Sequence, residues 1–164
     1  MKNIQVLKPK YRVEECLSEI KECLDIGWTG MGYKTIDFED RWKTYTSLNH
    51  AHFLSSATVG LHLAVKILKE KYNWHDGDEV ITTPFTFVST NHSILYENLK
   101  PCFADIDDSL NLDPQSVKDK INKNTKAVIF VGIGGNTKNL IEIIQIAKNN
   151  NIKVILDASH MAGS

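Results

Sequence analysis

The sequence predicts an α/β fold, a mainly parallel sheet flanked by helices. Two observations carry this. Strand-like and helix-like segments alternate along almost the whole chain, which means crossover connections and hence parallel pairing. Two strand candidates, "TKAVIFVGI" and "IKVILDA", also lack the in–out alternation of a half-exposed strand, as expected of strands buried on both faces.

The elements follow in order. "YRVEECLSEIKECLDIG" is an amphipathic helix, with Val13, Leu17, Ile20 and Leu24 at helical spacing and Gly27 as its stop. "WTGMGYKT" is a glycine-rich loop, and "IDFEDRWKTYTSL" a second helix. "HAHFLSS" reads as a short strand, leading into "ATVGLHLAVKILKEKY", a helix with Leu61, Ala64, Val65 and Leu68 on one face. "DGDEVITTP" is a turn and strand, "TFVSTNHSILYEN" a helix, and "KPCFADI" a strand. "DPQSVKDKI" is a short helix with Asp113 as cap and Pro114 at its first position. The run "TKAVIFVGI" is a strand, "TKNLIEIIQIAKNN" a helix, and "IKVILDA" the last strand. There is no internal repeat and no low-complexity linker.

Composition excludes several classes. A net charge of -1 over 164 residues gives no electrostatic footprint for nucleic acid or an anionic membrane. No apolar run approaches the ~20 residues of a membrane-spanning helix. "MKNIQVLKPKYRVEE" lacks the apolar centre of a signal peptide. Cys16, Cys23 and Cys102 are few and widely spaced, so they read as reduced, buried thiols of a cytoplasmic protein.

In a parallel α/β sheet the ligand site lies at the carboxyl ends of the strands. Ser56, Ala57 and Thr58 stand there, at the mouth of the long helix. So do Phe87, the turn "GIGGN" (residues 132–136), Asp157 and His160. Each has an ordinary reading alone: Ser56 and Thr58 as helix caps, Phe87 as core, Asp157 as a structural pair, His160 as a hydrogen-bonded histidine. Together they say more. A helix N-terminus with small hydroxyl residues binds anions, because free N–H groups and the helix dipole converge there. An aromatic side chain covers a flat ring, and a carboxylate pairs with a protonated ring nitrogen. Phosphate, flat ring and pyridinium together describe pyridoxal 5′-phosphate.

Two other readings use the same stretch. Gly132, Gly134 and Gly135 suit a dinucleotide-binding turn if it opens a helix at once, with Asp157 as the ribose acid. His50 and His52 share a face of the expected strand, but no Cys or acidic residue at matching spacing completes a metal site, so no metal is expected.

Several segments resemble, in register, the DegT/StrS-type sugar aminotransferases of the fold-type I pyridoxal-phosphate enzymes. They are "GWTGMGYKTIDFEDRW", "SSATVGLHLAV", "GDEVITTPFTFVSTNHSILYENLKPCFADID", "NLDPQSVKDKINKNTKAVIFVGIGGN" and "VILDASHMAGS". The resemblance implies roles. Ser56, Ala57 and Thr58 are the phosphate-binding segment, Phe87 the stacking aromatic, and Asp157 the partner of the pyridine nitrogen. His160 stands beside the ring's phenolic oxygen, and Trp28, Thr29 and Gly30 form a substrate-side loop. Ala57 replaces the commoner Gly, Leu156 stands where Glu is usual, and "GIGGN" departs from the family's stretch.

The resemblance also implies a Schiff-base lysine downstream of Asp157. None of this chain's lysines occupies that position. Residues 1–34 are then expected to be an N-terminal helix and substrate-side loop, and 35–164 an incomplete cofactor-binding large domain without the small C-terminal domain. The implied activity is transfer of an amino group from an amino acid, commonly glutamate, to a keto-sugar nucleotide in a homodimer. This chain alone is expected to be an inactive fragment. A dehydratase relative using the same cofactor and a non-catalytic nucleotide- or partner-binding domain stay open.

Overall fold

The computed structural model describes residues 9–163. Residues 1–8, part of the segment in which no signal peptide was read, and Ser164 of the terminal motif lie outside them. The described residues form two compact units, divided between Phe53 and Leu54.

The first unit is built on two helices. Helix α1 (Val13–Ile26) ends where Gly27 turns left-handed at φ 70, as a glycine stop should. Helix α2 (Tyr33–Thr46) starts earlier than its apolar pattern suggests, from extended Gly32. The expected boundary at residue 34 lies inside this helix. Lys34 of α2 pairs with Glu19 and Glu22 of α1, and Tyr33 donates to Glu22. Phe53 closes edge-on against Phe38, with ring centroids 5.5 Å apart. Neither helix buries a residue, so the stripe of Val13, Leu17, Ile20 and Leu24 is exposed.

The second unit carries the sheet. Its strands are β1 (Glu79–Thr82), β2 (Lys100–Phe103), β3 (Thr125–Val131) and β4 (Lys153–Asp157). They run in the order β2-β1-β3-β4, all parallel. The helices are α3 (Ala57–Tyr72), α4 (Val88–Leu95), α5 (Pro114–Lys120) and α6 (Leu140–Asn149). Strand β3 explains the layering. Its Ala127 and Ile129 pack with Leu61 and Val65 of α3 and Ile94 of α4. The alternate residues, Val128 and Phe130, pack with Val117 of α5 and Ile143 and Ile146 of α6. All four strand residues are fully buried. The missing alternation in "TKAVIFV" is thus the signature of two covered faces. Asp113 caps α5, accepting from Gln115 N–H at 3.0 Å, with Pro114 first in the helix.

Four expectations fail. "HAHFLSS" is not a strand: Ser56 is extended, but residues 50–56 pair with none of the four described strands. A β-propensity pattern without a neighbour makes no ladder. His50 and His52 therefore share no strand face, and no cluster of His, Cys, Asp or Glu placed to hold a metal ion occurs among the described residues. The last strand is not buried on both faces, because β4 is the sheet's edge and Leu156 is 41% exposed. Nor are the three free thiols buried. Cys16 is exposed and Cys23 half-buried on α1, which buries no residue, and Cys102 is half-buried on the edge strand β2.

The "GIGGN" stretch is a short 3-10 turn, Ile133–Gly135, with Gly134 at φ 59. Residues 136–139 separate it from α6, so the glycines do not open the helix as a dinucleotide turn requires. Side chains pin this connection instead. Asn111 is buried and donates to the carbonyls of Asn136 (3.1 Å) and Lys138 (3.0 Å). Asn139 donates to Asp107 at 2.9 Å. The Asn139 amide, with the Ser109 hydroxyl and N–H, holds the Asp107 carboxyl well below the usual carboxylate range.

Candidate functional site

The strand order places the site. From β1 the chain moves outward to β2, then returns past β1 to β3 and on to β4. The connections thus diverge on either side of the β1–β3 pair, and a crevice opens at the carboxyl ends of the strands. A cavity of about 220 Å³ lies there.

Five of the expected residues line it: Ala57, Thr58, Phe87, Asp157 and His160. Ala57 and Thr58 begin α3, and the N–H groups of a helix's first turn have no partner within the helix. Ser56 is the N-cap, its hydroxyl accepting from Val59 N–H at 3.3 Å, and it is not on the cavity wall. That hydroxyl is engaged in starting the helix, and the N–H groups of Ala57 and Thr58 stand in its first turn. Phe87 precedes α4 and is 74% exposed, so it presents an aromatic surface to the opening instead of joining the core. Trp28, Thr29 and Gly30 belong to the first unit. Trp28 is exposed there and donates from Nε1 to the Met31 carbonyl at 3.0 Å. Thr29 is exposed too, and Gly30 lies against the Trp28 indole.

Asp157 is the last residue of β4 and only 6% exposed. Its Oδ2 accepts from the Thr90 hydroxyl at 2.7 Å. Its Oδ1 accepts from the Ser159 hydroxyl at 2.6 Å and the Ser159 N–H at 3.2 Å. No Lys, Arg or His pairs with it among the described residues. A buried carboxylate supported only by neutral donors is a strong host for a cationic group entering the cavity. His160 is exposed, and its Nδ1 accepts from Gly134 N–H at 3.3 Å. That contact leaves the ring proton on Nε2, the free donor.

Sequence reasoning missed Thr90, Ser89 and Ser159 and gave Thr86 no role. Thr86, Ser89 and Ser159 line the cavity, and Thr90 lies behind Asp157. Only Ser159, two residues after the carboxylate, carried a local signal, since a hydroxyl at that offset forms a short turn around it. Thr90 is 67 residues away in the chain, beyond any local pattern.

A helix N-terminus, an exposed aromatic and a buried carboxylate with no cationic partner among the described residues meet at the carboxyl ends of a parallel sheet, in an α/β domain. Comparison with known proteins makes the assignment specific: the chain belongs to the DegT/DnrJ/EryC1/StrS aminotransferase family, whose model matches residues 10–164. It is 36% identical to the spore coat polysaccharide biosynthesis protein SpsC of Bacillus subtilis, over 90% of this chain and 37% of that protein. It is also 36% identical to the UDP-4-amino-4-deoxy-L-arabinose–oxoglutarate aminotransferase of Shewanella sediminis, over 92% of this chain and 38% of that one. Among solved structures it is similar to the E. coli GDP-4-keto-6-deoxy-D-mannose-3-dehydratase with bound hydrated PLP. There the TM-score is 0.85 at 26% identity, over 95% of this chain and 41% of that one. The chain spans about two-fifths of the length of these relatives. No helix among the described residues is long and apolar enough to cross a membrane.

Proposed function

We propose that the cavity at the strand ends holds pyridoxal 5′-phosphate, and that the protein acts in transferring an amino group from an amino acid, glutamate being the expected donor, to a keto-sugar nucleotide. The observation that carries this is Asp157, a buried carboxylate with no cationic partner among the described residues, on the wall that also carries the first turn of α3 and Phe87. The N–H groups of Ala57 and Thr58 and the Thr58 hydroxyl bind the phosphate. Phe87 covers a ring face and excludes water from it. Asp157 keeps a proton on the ring nitrogen, and the Nε2–H of His160 donates to the phenolic oxygen. Held there, the cofactor would supply the electron-sink chemistry that amino transfer requires. Trp28, Thr29 and Gly30 are assigned to the sugar substrate.

None of the residues lining the cavity is a lysine. This chain alone is therefore expected to bind the cofactor weakly and not to sustain amino transfer. Absorbance titration with pyridoxal 5′-phosphate, then borohydride reduction and peptide mapping, tests this. A stoichiometric adduct on one lysine of this chain, with continuing amino transfer, would overturn the assignment of inactivity; no saturable binding would overturn the site. Likeness to a 3-dehydratase favours a second reading, removal of a sugar hydroxyl with the same cofactor, to be distinguished by whether the sugar product gains nitrogen.

The exposed apolar residues of the first unit, Leu17, Ile20, Leu24, Trp28 and Met31 among them, suit a homodimer. Sedimentation should show concentration-dependent association, and a monomer at every concentration would contradict it. Three free thiols fit a reducing compartment, the cytoplasm.

A further inference from the structure

The two oxygens of Asp157 offer about four acceptor positions. Ser159 fills two on Oδ1 with its hydroxyl and N–H, and the Thr90 hydroxyl fills one on Oδ2. The position that remains is on Oδ2, the atom Thr90 already holds.

Thr90 is fully buried and is not on the cavity wall, so it does not meet a ligand directly. Its single hydroxyl proton goes to Asp157, which fixes the sense of a second bond. Thr86 Oγ1, 3.0 Å from Thr90 Oγ1, must be the donor there. A chain of two hydroxyls thus runs inward from the half-buried Thr86 to Thr90 and ends on the carboxylate. Each donated bond polarises the next. The backbone holds the chain rigidly: Thr90 N–H donates to the Phe87 carbonyl at 3.1 Å, in the first turn of α4.

We infer that Thr90, reinforced by Thr86, is a positioning residue that fixes Oδ2 of Asp157 so that its one remaining acceptor position meets the cationic ring nitrogen of the cofactor. The inference rests on the pyridoxal-phosphate reading of the cavity. It makes the hydroxyl relay, with no cationic partner among the described residues, the device that aims this carboxylate.

The test uses the full chain and pyridoxamine 5′-phosphate labelled with 15N in the ring, a probe that needs no lysine. The 15N shift, followed against pH, reports protonation of the ring nitrogen. In the unaltered chain the nitrogen should hold its proton to a higher pH than in the free probe. In Thr90→Val, which keeps the shape and loses the hydroxyl, that midpoint should fall and binding weaken about three- to tenfold. Thr86→Val should move the midpoint the same way by less, and Thr90→Ser should restore it. Thermal unfolding identifies a variant that does not fold; should Thr90→Val be one, Thr86→Val and Thr90→Ser carry the test. An unchanged midpoint in folded Thr90→Val, or in Thr86→Val if that alone folds, overturns the relay and leaves the cofactor reading standing. A labelled nitrogen that behaves as in the free probe even with the unaltered chain overturns the cofactor reading and the relay together.

Discussion

Replacing Asp157 with Ala is expected to weaken binding of pyridoxamine 5′-phosphate by about one to two orders of magnitude, because a hydrogen bond to a charged group contributes roughly 1.5–3 kcal/mol. The carboxylate is 6% exposed and has no cationic partner among the described residues, so the ligand's ring nitrogen would be its only one. The loss also leaves the Thr90 hydroxyl facing a small void, and some thermal stability should go with it. Asp157→Asn separates the two effects. It keeps the volume and can still accept from Thr90, but its amide brings a donor toward Ser159, which already donates to the same site. Affinity should fall nearly as far as in the alanine variant, with less loss of stability. Fluorescence titration alongside thermal unfolding reads both quantities. Undiminished affinity in a folded Asp157→Ala would remove the carboxylate from the site.

Phe130→Ala is expected to destabilise the second unit by about 3–5 kcal/mol. Phe130 is the largest of the fully buried side chains and lies on β3, between neighbouring strands on both sides. Its ring packs among Val117, Ile143 and Ile146, and truncation leaves a cavity that fixed backbone cannot close. Against a typical domain stability of about 5–15 kcal/mol, this approaches complete unfolding. Leu156→Ala, on the outer strand and 41% exposed, should be far milder. Urea unfolding followed by circular dichroism compares them. A larger loss from Leu156→Ala would mean that the buried layers are wrongly assigned.

The contrast between these two residues shows how far the sequence could be read. "TKAVIFV" and "KVIL" look alike as strings, and both are strands of the sheet. What separates them is the number of neighbours each acquires, which is a property of strand order and not of composition. "HAHFLSS" failed for the same reason: its residues favour an extended backbone, and no described partner pairs with it. Cys16 and Cys23 read as buried thiols from their small number and wide spacing, yet on α1, which buries no residue, Cys16 is exposed and Cys23 only half-buried. Motifs anchored in local chemistry were legible. Asp113 and Pro114 open a helix by themselves, and Ala57, Thr58, Phe87, Asp157 and His160 reach one cavity because each follows a strand or starts a helix at the same end of the sheet. Thr90 was not legible, since its partner Asp157 is met only after the intervening strands have been laid side by side.

The strand order has a consequence for the nascent protein. Strand β1 first pairs with β2, Glu79 with Lys100, but its other edge waits for β3, which begins at Thr125. On a ribosome adding about 5–20 residues per second, that delay is on the order of seconds, far longer than the microseconds in which a hairpin would form. Throughout it Val80 and Ile81, both wholly buried in the finished sheet, stand on a strand with one unsatisfied edge. The order of synthesis therefore leaves the middle of this sheet open to aggregation before completion, a stretch that a chaperone would have reason to protect.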